Sequence, residues 1–183
     1  MANYCSNCVQ LNGSPQNITK AVAFINEWLV DKYDSLPNSS LTDIPIKEFT
    51  EEEKNDVYKS FGTKWIDLQD KVEDEEGFAS FCADSAWSPF NEFLINLCEK
   101  FSVDAENIYE EGGNQIYGVF YMKGGEFTDN EMIKGEYFAN FHQEGIEDEL
   151  EYFDMDDYKA LEHLLDDRQK KVIITNEFNS EEA

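Results

Sequence analysis

Val9-Gln10-Leu11-Asn12-Gly13-Ser14-Pro15-Gln16-Asn17-Ile18 sets the first two elements of the fold. Val9 and Leu11 alternate with polar neighbours, as on a half-buried strand, and residues 3–12 have a strand's length. Asn12-Gly13 signals a turn. Ser14 then offers a side-chain cap, and Pro15 suits the first helical turn. Ile18, Val22, Ile25 and Leu29 recur at helical spacing and mark one buried face, which Phe24 and Trp28 widen. The expected opening is therefore a strand followed by an amphipathic helix over Ser14–Asp31.

Downstream, residues 34–47 carry Asp, Ser, Asn and two prolines and read as a loop. Thr50 with Glu53 three residues on is a capping-box start for a short helix, which Gly62 interrupts. Lys64 to Val72 alternates as a strand, Glu73-Asp74-Glu75-Glu76-Gly77 is a charged turn, and Phe78, Phe81 and Cys82 enter another strand. Ser88-Pro89 opens a second helix, Pro89–Phe101, with Phe90, Phe93, Leu94, Leu97, Cys98 and Phe101 inward. Asn107–Glu110 and Gln115–Met122 read as paired strands around Gly112-Gly113-Asn114, and Gly124-Gly125 ends the second. Strand, helix, strand pair, helix, strand pair is the order of an α+β, ferredoxin-like split βαβ core: an antiparallel sheet with two helices on one face. That core is assigned to residues 1–125. Residues 126–183 read as an acidic, mostly helical extension packed on or continuing the same domain, with a last helix capped by Asp154 and a short strand at Val172–Thr175.

Charge is the strongest compositional signal. Forty acids against fourteen bases give a formal charge of −26. Half of it lies in residues 126–167, where fifteen acids meet two lysines. A polyanion repels nucleic acid and anionic membranes, so neither is an expected ligand; a basic protein surface or a cation is. The 14% aromatic content separates the chain from disordered acidic tails. No apolar run approaches the ~20 residues of a membrane span. With four cysteines and no basic-then-apolar leader at Met1, the expected location is a cytoplasm, with reduced thiols.

Three local patterns occur in order: Met1-Ala2-Asn3-Tyr4-Cys5-Ser6-Asn7, Gly62-Thr63-Lys64-Trp65 and Ala86-Trp87-Ser88-Pro89. With Tyr109-Glu110-Glu111-Gly112 downstream, roughly residues 1–125 resemble uncharacterised proteins with a YubB-type ferredoxin-like domain, found on phages, plasmids and other bacterial mobile elements. The resemblance implies a ferredoxin-like fold without an iron–sulfur cluster and a mobile-element origin, and it brings no assigned activity. The chain departs from it at Ser88-Pro89-Phe90, where a second proline is common.

Motifs for catalysis or cofactors are weak. Cys5-Ser6-Asn7-Cys8 is a C-x-x-C, and Cys82 and Cys98 could complete a zinc site, but they do not form a second close pair. On a strand, Cys5 and Cys8 point to opposite faces. Structural thiols are the expectation, with no metal and no cofactor. Asp154-Met155-Asp156-Asp157 suggests calcium, yet Lys159 stands where an EF-hand needs Gly and Leu165 where it needs Glu. His142 and His163 sit in no nucleophile motif, and neither glycine pair is followed by the Lys of a phosphate loop. No catalytic residue is assigned. Trp65 and Trp87 are expected to close a core under a loop, with an exposed recognition patch as the rival reading.

The sharpest feature is the acidic-aromatic stretch. Glu144, Glu147, Asp148, Glu149, Glu151, Asp154, Asp156 and Asp157 carry charge, and Tyr152 and Phe153, like Tyr137, Phe138 and Phe141 before them, supply aromatic anchors. They are the expected partner-binding residues. The expected partner is a basic surface, that of a host nucleic-acid-binding protein, and with the mobile-element resemblance the expected function is non-catalytic binding as a DNA-mimic inhibitor of phage type. A compact chain of this length is ~40 Å across. Duplex DNA of ~40 Å carries roughly 24 charges, which is close to this chain's total. The alternatives are a small enzyme with an unrecognised site, or a regulatory or structural mobile-element protein whose acidity serves only solubility. One continuous acidic face, an acid-lined pocket, or scattered charge separates the three.

Overall fold

The structure is a computed structural model that describes residues 3–31, 40–68 and 70–132. All of these but Met132 belong to a compact unit, Met1–Glu131. The expected Asp154 helix, the strand at 172–175, both histidines and the acidic-aromatic binding residues from Tyr137 to Asp157 lie outside the described residues.

β1 (Tyr4–Asn12) leads into α1 (Pro15–Ile25) as the sequence predicts. The Ser14 hydroxyl accepts from the Asn17 amide at 3.3 Å, and Pro15 occupies the first turn, where its missing N–H is no loss. The helix runs on as π-helical turns over Asn26–Asp31, so the buried face reaches Leu29. A 3₁₀ turn (Leu41–Asp43) follows, then α2 (Glu51–Asn55) and α3 (Val57–Phe61), which ends on left-handed Gly62.

The capping box at α2 forms in full. The Glu53 carboxylate accepts from the Thr50 amide at 2.8 Å and the Thr50 hydroxyl at 2.9 Å, with Lys47 at 3.2 Å. The Thr50 amide first, then the Thr50 hydroxyl and Lys47, favour the charged form and hold the Glu53 pKa down to about 2. A lowered carboxylate pKa means that this cap is intact above the ordinary carboxylate range and is lost as pH falls through about 2. An NMR titration of the Glu53 carboxyl should show that low midpoint. A midpoint near the unperturbed ~4.3 would show that the box does not form in solution.

Four more elements complete the core: β2 (Ile66–Asp67), β3 (Asp74–Glu75), β4 (Phe78–Ala86) and α4 (Asn91–Phe101). β5 (Asp104–Glu111), β6 (Ile116–Lys123) and β7 (Glu126–Met132) extend the sheet. The strand order is β2-β4-β1-β5-β6-β7, with β3 also on β4. β1 lies antiparallel between β4 and β5, and α4 crosses over it, which is the split βαβ arrangement. Alternate residues of the strands, such as Val9, Leu11, Phe81 and Phe120, join Ile18, Ile25, Phe93, Leu94 and Leu97 in one core on the helix side.

The secondary-structure elements depart from the sequence reading in three places. The strand expected over Lys64–Val72 pairs only at Ile66–Asp67, and the expected charged turn contains β3. Between them the chain leaves the sheet, held by Asn26 in the π-helical turns that follow α1. The Asn26 side chain accepts from the Val72 amide at 2.8 Å and donates to the Val72 carbonyl at 2.9 Å, as a neighbouring strand would. Leu68 and Val72 are thereby buried. Secondly, α4 starts at Asn91, not Pro89, and Phe90 gives no side-chain cap. The Ser88 hydroxyl is already bound to the Gly62 carbonyl and the Tyr58 hydroxyl. Thirdly, residues 126–132 are a strand and not the start of a helical extension. Gly124 and Gly125, at φ 59° and 86°, make a two-residue hairpin turn that needs positive φ at both positions.

Candidate functional site

The sheet side away from the helices holds the candidate site. Strand register places its side chains in rows across the strands. One row reads Asp67, Asp84, Ser6, Glu110, Tyr117 from β2 to β6. The next reads Cys82, Cys8, Ile108, Val119, and the one beyond Ser80, Gln10, Glu106, Tyr121. Asp104 follows Glu106 on the same side by the two-residue alternation of β5. Cys8, Gln10, Ser80 and Cys82 are exposed at its centre, whereas Tyr117 and Val119 at the β6 end are buried.

Carboxylates thus stand on three strands of this side, Asp67 on β2, Asp84 on β4 and Glu106 and Glu110 on β5, with Ser6 and Gln10 of β1 between them. Among the described strand residues, Lys123 on β6 is the base that alternation puts on this side. Neighbouring strands are ~4.8 Å apart, so Asp67 and Asp84, directly opposite each other, repel. Partial burial and then the Asp67 charge raise the Asp84 pKa. Partial burial and then Glu106 likewise raise that of Tyr121. Like charges held this close store repulsion that an incoming cation relieves.

Beside this row the break between β2 and β3 opens a cleft of about 400 Å³, lined by Asp67, Asp70, Lys71, Cys82 and Asp84 among others. Lys71 pairs with Asp31 at 2.8 Å at its rim. No group of three or more His, Cys, Asp or Glu side chains placed to hold a metal occurs among the described residues. Cys5 and Cys98 are buried on the helix side, and Cys8 and Cys82 are exposed on the other, so the four thiols do not converge.

The tryptophan motifs converge at one corner of the sheet. Gly62 is left-handed (φ 76°), and a Cβ there would meet the Pro89 carbonyl at 2.9 Å. The buried Thr63 hydroxyl accepts from the Ala86 amide at 2.8 Å and bonds the Ala86 carbonyl at 3.1 Å. The Trp87 amide donates to Asn3 at 3.0 Å. Gly62, Thr63, Ser88 and Pro89 therefore clasp two loops together. Trp65 and Trp87 are not core residues, contrary to expectation. Both are half-buried: Trp65 meets the exposed Tyr4 edge-on at 5.3 Å, and Lys64 covers the Trp87 ring at 4.8 Å. The clasp uses their backbones, which leaves the rings at the surface.

A polar chain crosses the core behind the acidic face. Asn7 donates to the Ser85 hydroxyl at 2.9 Å, and Asn107 donates to Asn7 at 3.0 Å and to Asn91 at 2.9 Å. Asn91 and Tyr109 both donate to Asp129 on β7, at 2.9 and 2.6 Å. It ties β1, β4, β5, α4 and β7 into one register. Sequence reasoning missed this chain because its members are scattered. The acidic face left a clearer signal, since Asp104, Glu106 and Glu110 share one parity along β5.

Residues 64–156 match the family described as the ferredoxin-like domain in Api92-like protein. The match spans just over half of the chain, and the chain belongs to this family. A crystal structure of protein api92 from Yersinia pseudotuberculosis is similar at a TM-score of 0.46 and 11% identity, over 73% of this chain and 98% of that one. No curated protein matches the sequence. No helix among the described residues is long and apolar enough to cross a membrane.

Proposed function

We propose that the chain is a non-catalytic binding protein of phage or mobile-element type, whose acidic sheet face receives the basic, nucleic-acid-binding surface of a host protein in the bacterial cytoplasm. The observation that carries this reading is the set of carboxylates on β2, β4 and β5 that flank Ser6 and Gln10 of β1 on one side of the sheet. Four-stranded sheets that bind single-stranded RNA through this side use aromatic stacking, and single-strand grooves add basic side chains. Here the polarity is reversed, so the face repels phosphates and attracts the groups that bind them. Ile108 and Tyr121 lie among the acids as apolar anchors. The YubB-type resemblance supports the mobile-element origin, and the total charge of −26 supports mimicry of DNA. The acid-rich sequence around Glu144–Asp157, with Tyr152 and Phe153, is a second contact in this reading.

The test is affinity capture from a bacterial lysate with the full chain and two variants. One carries Asp67→Asn, Asp84→Asn, Glu106→Gln and Glu110→Gln. The other neutralises Glu147, Asp148, Glu149 and Glu151. A nucleic-acid-binding protein held by the wild type, displaced by duplex DNA and lost with the sheet-face variant is the expected result. Melting temperatures should stay near or above wild type, because self-repulsion falls. Equal capture by all three proteins would refute the acidic-face reading and move attention to Trp65 and Trp87.

A further inference from the structure

We propose that Cys8 and Cys82 are a surface cystine site, a thiol pair that exchange with a low-molecular-weight disulfide converts into an intramolecular cross-strand disulfide. The pair is directly opposed in the β1–β4 register, and both side chains are exposed, with sulfurs 2.6 Å apart. Directly opposed antiparallel residues have Cα atoms ~4.5–5.5 Å apart, inside the ~4.4–6.8 Å range of disulfides. Pairing runs without interruption from Tyr4↔Ala86 to Asn12↔Phe78, so neither strand has to move to bring the sulfurs together.

Partial desolvation of the sulfur against the sheet, the neighbouring Cys82 and the charges of Glu110 and Asp84 hold the Cys8 thiol up to about 12. At neutral pH the pair therefore rests as thiols and exchanges slowly. Once deprotonated, the Cys8 thiolate attacks one sulfur of oxidised glutathione and displaces a glutathione thiolate. The Cys82 thiolate then attacks the Cys8 sulfur of the mixed disulfide and displaces the second glutathione. Two electrons pass from the protein to the glutathione disulfide, and the two thiol protons end on the two glutathiones released. Cys5 and Cys98 are buried on the helix side and take no part.

The full chain is incubated with oxidised glutathione at mildly alkaline pH, then alkylated, digested and weighed. The expected product is a monomer that has lost two of its four free thiols, with one cystine peptide joining Cys8 and Cys82. Reductant should restore both thiols. The oxidised protein should melt at a higher temperature than the reduced one, because the link closes a long loop. Cys82→Ser should leave Cys8 carrying one glutathione and should abolish the rise in melting temperature. Glutathione adducts that persist on both cysteines of the wild type, an interchain disulfide, a link through Cys5 or Cys98, or four unreacted thiols would each overturn the proposal.

Discussion

Leu97→Asp should abolish the cooperative thermal transition of this domain. Leu97 is fully buried on α4 in the core shared with α1 and the sheet. Truncating a buried leucine costs about 2–5 kcal/mol by itself. Aspartate adds a carboxyl group with no partner, which costs several kcal/mol more even if it is protonated. The sum approaches the ~5–15 kcal/mol that holds a typical domain together. Leu97→Ala is the control and should lower the melting temperature while leaving a single transition. A Leu97→Asp protein that melts within a few degrees of wild type by circular dichroism would mean that α4 does not pack on the sheet as described.

Gly118→Ala should have the next largest effect, about 2–4 kcal/mol, although it adds one carbon. Gly118 lies opposite Tyr109 in the β5–β6 register, and the tyrosine ring crosses it to reach Asp129 on β7. A Cβ at Gly118 would collide with the Tyr109 hydroxyl, stand 2.7 Å from its Cζ and 2.5 Å from the Asn130 carbonyl. Neither neighbour can yield cheaply. Tyr109 is 1% exposed, and burial together with the bond to Asp129 raises its pKa, so its phenol stays protonated and donates. Moving it breaks that bond and lifts β7 from β6. Tyr109→Phe removes the hydroxyl alone and should cost ~1–2 kcal/mol in urea unfolding. It should not rescue Gly118→Ala, because the ring and the β7 backbone still block the methyl. Full rescue, or no loss in the alanine variant, would contradict the close approach of β5, β6 and β7.

The local signals in this sequence were sound where local chemistry decides the outcome. Ser14 caps α1 and Thr50 with Glu53 forms the box at α2, because each needs only neighbours within one turn. Failures came where a distant residue wins the competition for the same group. Ser88 followed by Pro89 has the chemistry of a helix start, but Gly62 and Tyr58 occupy its hydroxyl. Lys64–Val72 has strand alternation, but Asn26 captures Val72, so the edge of β4 is paired only at β2 and β3 and not between them. β7 escaped notice because its acids are exposed and read as the start of a charged extension, although Gly124-Gly125 carries the hairpin signal. Trp65 and Trp87 were legible as a linked pair of motifs. Their rings lie outside the core because the clasp between those loops is made by Gly62, Thr63 and Ser88. The acidic face is legible in β5 by parity alone, but its continuation through Asp84 and Asp67 needs the β1–β4 and β2–β4 pairings.

The central claim is that the sheet face binds by charge. Its most direct test is the affinity for the captured partner, measured by calorimetry from ~50 to ~500 mM salt, for the wild type and the Asp67→Asn/Asp84→Asn/Glu106→Gln/Glu110→Gln variant. Screening shortens from ~14 Å to ~4 Å over that range, so affinity for the wild type should fall steeply. The variant should bind more weakly at low salt and respond less to added salt, with the two proteins converging at high salt. Affinities that are equal for both proteins and flat across the series would contradict the account.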